Sequence, residues 1–374
     1  MKKKMGKKWT KVTLSLMGGI LIITALIAGC DSEESSGDTD SEPQNGGQEI
    51  TLDFATFWPA QDFQVEHGHK AWAREVKERV AENTSYALNF SWSYGGELLG
   101  SAEIYEGVAA GVADMGSTCP SYTPGMFPIT EAFELPGLHN DNALVSSMAI
   151  QDAFGSYDLL EEEYQDVEVM HFWATGPGDM ITVEPVKTLE DLDDMSIRVA
   201  GGSVPVVRAL GGTPETMGMD EAYLSLNQGL VEGILSPTDV LEGFQLAEVT
   251  NYITKTPYLY NVVFMKIMNQ NTWDDLPEEV QEVFQEVNRE YAYQYGVLRT
   301  TYTEAGEKYA VDNYQHEIHN LSMEEEEKWR EAIEPVQESW AEDADQEGLP
   351  GTEILETVQE LDQKYSDKYG DYFD

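Results

Sequence analysis

The chain has 374 residues, 22 of them Lys or Arg against 69 Asp or Glu, for a formal net charge of −47. So negative a field excludes nucleic acid and anionic lipid surfaces as partners, and two cysteines exclude a disulfide framework. The length is enough for a large core and points to two lobes rather than one.

Residues 1–29 read as a leader rather than as part of the fold. Lys2, Lys3, Lys4, Lys7, Lys8 and Lys11 make a basic start, and Val12 to Ile27 make an apolar run. The run ends at Ile27-Ala28-Gly29-Cys30, which resembles a bacterial lipobox, with Cys30 as the lipid-modified first residue of the mature chain. A transmembrane anchor or a plain secretory signal are the alternatives, and the run is slightly short for a spanning helix. The expected location is the outer face of the cytoplasmic membrane, held by lipid. Residues 30–48 are acidic and rich in Ser and Gly, and read as a disordered tether. After Cys30 the chain keeps 16 Lys and Arg against 69 Asp and Glu, a net −53. That charge fits a salty medium, where screening relieves self-repulsion. Cys119 is expected as one buried thiol.

Glu49 to Phe57 alternates Ile50, Leu52 and Phe54, the pattern of a half-buried strand. It ends at Phe57-Trp58-Pro59, with aromatics where open α/β sheets place ligands. A helix is expected over His67–Val80, and strand Tyr86–Trp92 follows. Helix Ala102–Ala110 and strand Val112–Gly116 complete a β-α-β-α rhythm, which implies a mostly parallel sheet. His67 and His69 with Glu66 lack a third ligand motif, so no metal is expected there. Pro120 to Asn140 is a Pro-punctuated apolar loop, read mainly as packing. Strand Val167–Thr175 carries Trp173 at its end and His171 as a core histidine.

The central stretch runs from Leu189 to Pro237. Met195–Val199 is a short strand ending at Gly201-Gly202, and Ser203 is placed to cap the next helix, with Pro205 tolerable in its first turn. Arg198 thus stands near a strand end that feeds a helix N-terminus. Its guanidinium either grips a carboxylate with two parallel hydrogen bonds or pairs with Asp193 or Asp194 across a surface turn. Spacing alone leaves both open. Further on, helix Leu241–Thr250, strand Tyr258–Ile267 and helix Trp273–Tyr295 are expected, and the rest reads as acidic helix. Glu324 to Glu327 form a solvated helix start.

No phosphate-cradling loop, Cys/His cluster, G-x-S-x-G or H-E-x-x-H occurs, and no carboxylate pair can be singled out. No catalytic residue, metal or cofactor is assigned, and the outline is that of a solute-binding protein rather than an enzyme. An ABC-type or chemoreceptor-coupled binding protein, or an extracellular hydrolase, are the rival readings.

Tyr94-Gly95-Gly96-Glu97-Leu98-Leu99-Gly100, Gly111 to Met115, Ser196-Ile197-Arg198-Val199, Met217, Glu221 to Gly229 and Val231-Glu232-Gly233 carry a specific resemblance. Phe127-Pro128, Leu135-Pro136, Trp273 with Leu276-Pro277, and Leu321-Ser322 with Trp329 continue it, in order, over residues 49–345. Together they resemble the DctP-type solute receptors of tripartite ATP-independent periplasmic (TRAP) transporters. The resemblance implies a two-lobed α/β fold like that of periplasmic binding proteins, with a ligand cleft between the lobes and a long, late bracing helix. It places lobe I at 49–174 plus about 262–301, lobe II at 175–261 plus about 302–345, and an acidic helical extension at 346–374. It implies that Arg198 pairs with the substrate carboxylate, that Tyr223 lies on the pocket-side helix, and that an ion-gradient-driven membrane permease is the partner. Met219 stands where members often carry Phe, Ser236 where they carry Asn, and Gly178-Asp179-Met180 where some place a second arginine. These departures fit a small organic acid, a monocarboxylate with an apolar body. Arg198 and Ser236 would hold it, with Phe57, Trp58, Trp173, Met219 and Tyr223 enclosing it.

Overall fold

The computed structural model describes residues 48–138 and 142–373. The leader, the lipobox-like Cys30 and the tether up to residue 47 lie outside the described residues. No described helix is long and apolar enough to cross a membrane.

Alternation in the first stretch gives strand β1 (Gln48–Thr56), with Leu52 and Phe54 buried. Strands β2 (Tyr86–Ser93) and β3 (Met115–Thr118) lie parallel on its two sides. The chain continues with β4 (Val167–Ala174), β5 (Asp179–Thr182), β6 (Ser196–Val199), β7 (Thr213–Thr216), β8 (Gly233–Ser236), β9 (Tyr252–Lys255), β10 (Val263–Asn269) and β11 (Glu317–Asn320). They make two sheets, ordered β2-β1-β3-β10-β4 and β11-β9-β5-β8-β6-β7. Helices flank both sheets, giving a two-lobed α/β fold.

Neither sheet is purely parallel. β10 runs antiparallel between β3 and β4, and β5 runs antiparallel between β8 and β9. The cause is the route of the chain: it leaves the first sheet after β4, builds most of the second, and returns through β10. The outgoing segment 175–178 and the returning segment 260–262 bond to each other. Thr175 N–H donates to Val262 O at 2.8 Å, and Gly178 N–H donates to Tyr260 O at 3.1 Å. These are the crossing segments between the lobes.

A third crossing is helical. Leu276-Pro277 ends one short helix and starts the helix Glu278–Tyr314, 37 residues long, about 55 Å at 1.5 Å per residue. Pro277 suits that start, since it lacks an N–H that would have no partner there. The apolar face Val280, Val283, Phe284 and Val287 packs on the first lobe, and small residues extend it. A Cβ at Gly296 would stand 2.7 Å from Leu144 Cα, and one at Gly306 would stand 2.2 Å from Thr238 O. Backbone contact with both lobes makes this helix the brace.

Several local expectations are corrected. Val112 is 52% exposed in a bend, and the strand begins only at Met115, because the two apolar residues Val112-Ala113 before Asp114 do not define a register. Tyr258–Val262 forms the crossing segment, so β10 starts at Val263. The stretch Leu241–Thr250 breaks at Gln245 (φ 58°) into two short helical turns. Residues after Tyr314 are not all helical, since β11 completes the second sheet. The C-terminal helix Gly351–Tyr369 packs on helix Ala143–Phe154. Asn142 caps that helix with its Oδ1, while its Nδ2 donates to Tyr369 O at 2.9 Å.

Candidate functional site

β6 is four residues long, and its alternation puts Ile197 and Val199 on one face and Arg198 on the other. Arg198 is fully buried, at 0% exposure. Its Nε and Nη2 both donate to Met217 O, at 3.0 and 2.8 Å, which fixes the plane of the guanidinium. Its Nη1 has no hydrogen-bond partner in the protein. Asp193 and Asp194 are exposed in the turn before the strand, so the surface ion pair is not the role of this side chain.

Register extends the site. Arg198 lies opposite Ile234 of the parallel neighbour β8, so Ser236, two residues on, shares its face. Ser236 Oγ is buried and has no partner. Ser203 Oγ is also buried and unpartnered, and it does not cap the helix Val204–Ala209 as its position suggests. One guanidinium nitrogen and two hydroxyls thus stand unsatisfied at or just past the C-terminal ends of β6 and β8. Buried polar groups are nearly always paired, so these three atoms keep hydrogen-bonding capacity that the protein does not use.

The opposing wall is aromatic. The Tyr122 ring centroid is 5.9 Å from Arg198 Cζ. Phe57, at the end of β1, stacks on Trp58 (3.9 Å) and meets Tyr122 edge-on (5.3 Å). Phe244 of the second lobe lies 6.3 Å from Phe57, and Phe264 of β10 lies 6.5 Å from it. Trp173 is one layer back, 6.2 Å from Trp58 and 5.7 Å from Phe264, with its Nε1 unpartnered. Met219 is buried at the start of helix Met219–Asn227. Tyr223 goes elsewhere: its hydroxyl donates to Glu248 at 3.0 Å on the exposed side. That helix turns Ala222, Ser225 and Leu226 inward, which leaves the Tyr223 phenol at the rim. Tyr122, Phe244, Phe264 and Ser203 were not picked out as site residues from the sequence. Only Tyr122 had a signal, the apolar load of its proline-rich loop.

The lobes are closed on each other. Ser101 N–H donates to Asp220 Oδ2 at 3.3 Å across the cleft. Gly202 lies so close to Glu134 that a Cβ there would stand 2.4 Å from its Oε2. Glu134 is itself buried, accepting Val263 N–H at 2.9 Å and bonded to Ser121 Oγ. Burial pushes its pKa up to about 8. Gly202→Ala is therefore expected to weaken ligand binding at least tenfold by propping the lobes apart. Its melting temperature without ligand should stay within a degree or two, because the open form relieves the clash. Titration calorimetry checks the first, and unaltered affinity would refute the close approach.

Behind the aromatic wall lies a buried basic cluster. His69 ends a π-helical turn, Gln64–His69, and its Nδ1 is 2.8 Å from the Tyr295 hydroxyl. Lys266 Nζ donates to the same hydroxyl at 3.2 Å and lies 3.6 Å from the Trp72 ring centroid. Burial, then Lys266, lowers the pKa of His69 and of His171, and burial lowers that of Lys266. His69 is thus a core residue. Among the described residues no group of three or more His, Cys, Asp or Glu is placed to hold a metal ion.

Comparison with known proteins adds the following. The family description "Bacterial extracellular solute-binding protein, family 7" (DctP) matches residues 54–343. The ectoine/5-hydroxyectoine-binding periplasmic protein UehA of Ruegeria pomeroyi is 27% identical over 218 residues, 57% of this chain and 63% of that protein. The match therefore spans slightly less than two thirds of that relative. A TRAP solute binding protein from Rhodoferax ferrireducens, solved with copurified benzoate, superposes with a TM-score of 0.79 at 26% identity. That match covers 85% of this chain and 99% of the other. A marine metagenome TRAP solute binding protein specific for aromatic acid ligands, solved with 3-hydroxybenzoate, gives the same TM-score, identity and coverage.

Proposed function

Because the chain belongs to the DctP family of bacterial extracellular solute-binding proteins, the solute receptors of TRAP transporters, we propose that its cleft takes a small aromatic monocarboxylate. The observation that carries this reading is Arg198, a fully buried guanidinium whose Nη1 is unpartnered on the same face as the unpartnered Ser236 Oγ. Holding a cation out of water without a counter-charge costs several kcal/mol, and a ligand carboxylate offsets that cost. Nη1 and Ser236 Oγ donate to the carboxylate. Phe57, Tyr122, Phe244 and Phe264 face the body of the ligand, with Met219 filling beside them. Flat rings suit a flat ligand, through offset and edge-on packing. The two solved relatives that hold benzoate and 3-hydroxybenzoate support the choice of an aromatic acid.

In this reading the receptor closes on its ligand and presents the closed surface to a TRAP permease, with Cys30 supplying a lipid anchor outside the cytoplasm. The test is a thermal-shift screen of the purified protein against benzoate, 3-hydroxybenzoate, mandelate, succinate, ectoine and glucose. A ligand at a hundredfold excess over its Kd adds about 2.7 kcal/mol to stability, which reads as a shift of several degrees. The aromatic acids are expected to give the largest shifts. Stabilisation by glucose alone, with none by any acid, would overturn the assignment. Run at low and at molar NaCl, the same screen tests the salty-medium reading, for which the melting temperature must rise with salt.

A further inference from the structure

A cavity of about 320 Å³, whose lining does not include Arg198, is formed by residues of both lobes. It is lined by Gln61, Asp62, Phe63, Glu66 and His67 of the first lobe, by Asp239, Glu242 and Gly243 of the second, and by Tyr302 of the bracing helix. Four of those nine residues are carboxylates, and none is Lys or Arg. We propose that this cavity binds a small organic ammonium ion, taken up between the carboxylates of Asp239, Asp62 and Glu242 and the ring of Tyr302.

Three observations carry the assignment. The first is a charge deficit in the buried part of the site. Asp62 and Asp239 are 2% exposed each. The cation beside them is Arg299, whose Nη2 is 2.9 Å from Asp239 Oδ2. Asp62 Oδ1 accepts Gln64 N–H at 2.7 Å, whereas Asp239 Oδ1 has no hydrogen-bond partner. The second is an aromatic wall. Phe63 and Tyr302 stack on each other at 4.3 Å with an interplanar angle of 6°, the His67 ring lies 5.7 Å from Tyr302, and Arg299 Cζ already lies 5.5 Å from the Phe63 ring centroid. Ring faces next to carboxylates favour an alkylated ammonium over a hydrated alkali ion. The third is the volume, which falls within the range of small-molecule sites.

The burial of Asp62 agrees with this assignment. Burial and then the nearby Asp239 carboxylate outweigh the Gln64 hydrogen bond and Arg299, and hold the Asp62 pKa up at about 7. Closing the lobes creates that environment, since a Cβ at Gly243 would stand 2.0 Å from Asp62 Oδ2. An ammonium ion held by residues of both lobes therefore favours the closed arrangement. This site does not depend on the nature of the ligand at Arg198.

The test compares choline, ethylammonium and sodium chlorides at equal ionic strength, read as melting temperature and by titration calorimetry. Choline or ethylammonium is expected to raise the melting temperature beyond sodium and to bind with 1:1 stoichiometry. Glu242→Gln, on the exposed rim, and Tyr302→Leu should each weaken that binding at least fivefold, and Asp239→Asn should abolish it. Arg198→Met should leave it unchanged, which separates failure of this site from failure of the carboxylate site. Equal shifts with sodium would overturn the proposal. So would organic-cation binding that survives both Glu242→Gln and Tyr302→Leu, variants whose side chains are not in the core.

Discussion

Arg198→Met is expected to abolish carboxylate binding while the ligand-free protein melts no lower than the wild type. The two halves of that result have one cause. The guanidinium is fully buried, its Nε and Nη2 are committed to Met217 O, and its Nη1 is unpartnered. Removing the charge from the complex leaves a ligand carboxylate buried alone, a loss of roughly 2–5 kcal/mol, or about 30-fold to several thousandfold in Kd. In the empty protein the same substitution removes an uncompensated charge, and methionine fills much of the volume, so desolvation is relieved. Calorimetric titration and a melting curve test both halves. Wild-type affinity in the variant would remove Arg198 from the site. Retained fold with lost affinity is the outcome that only a ligand-directed charge gives.

A second large effect concerns pH. Burial raises Glu134 to about 8 and Glu163 to about 7, both from 4.5, and Asp62 to about 7 from 3.8. A carboxyl that is harder to ionise when folded binds more protons in the native state than in the unfolded one. Its contribution is complete below about pH 4.5 and is lost as the pH rises through 8. For Glu134 the difference, at about 1.4 kcal/mol per unit, comes to roughly 3–5 kcal/mol at pH 9. Glu134→Gln keeps an acceptor for Val263 N–H, puts an amide N–H where Glu134 accepts from the Ser121 hydroxyl, and cannot ionise. The variant should match the wild type at pH 5 and exceed it clearly at pH 9. His69 and His171, lowered by burial, act in the opposite sense below pH 6.5 and are untouched by the substitution. Denaturant melts at the two pH values decide it, and parallel curves would show that Glu134 is not held neutral.

Much of the fold is legible in local periodicity. β1 and β2 alternate over whole strands, and Phe57-Trp58 falls at a strand end as its position implies. Arg198 is legible as a candidate but not as a decided one. Its spacing fits a surface ion pair equally well, and only burial separates the two. The misses share a cause, which is partners distant in sequence. β11 is four residues, with Ile318 39% exposed, and it becomes a strand only because β9 offers an edge. Tyr122 and Phe264 are ordinary apolar residues until the fold sets them beside Phe57. The family resemblance puts Tyr223 on a pocket-side helix, yet its hydroxyl bonds Glu248 on the exposed side. Ser203 has the sequence of a cap and the geometry of an unpaired hydroxyl.

The path of the chain through its two sheets has a consequence for biogenesis. β4 has one neighbour, β10, and β10 is made almost a hundred residues later. The second sheet ends with β11, which follows the brace. A nascent chain that stops at residue 262 has finished neither half, whatever its intrinsic stability. Folding therefore cannot proceed half by half as the polypeptide emerges, and the dominant contacts form late and over long loops, which is slow. Such a chain completes its first sheet only after most of its length has been made. Its dense negative charge keeps the waiting polypeptide from aggregating.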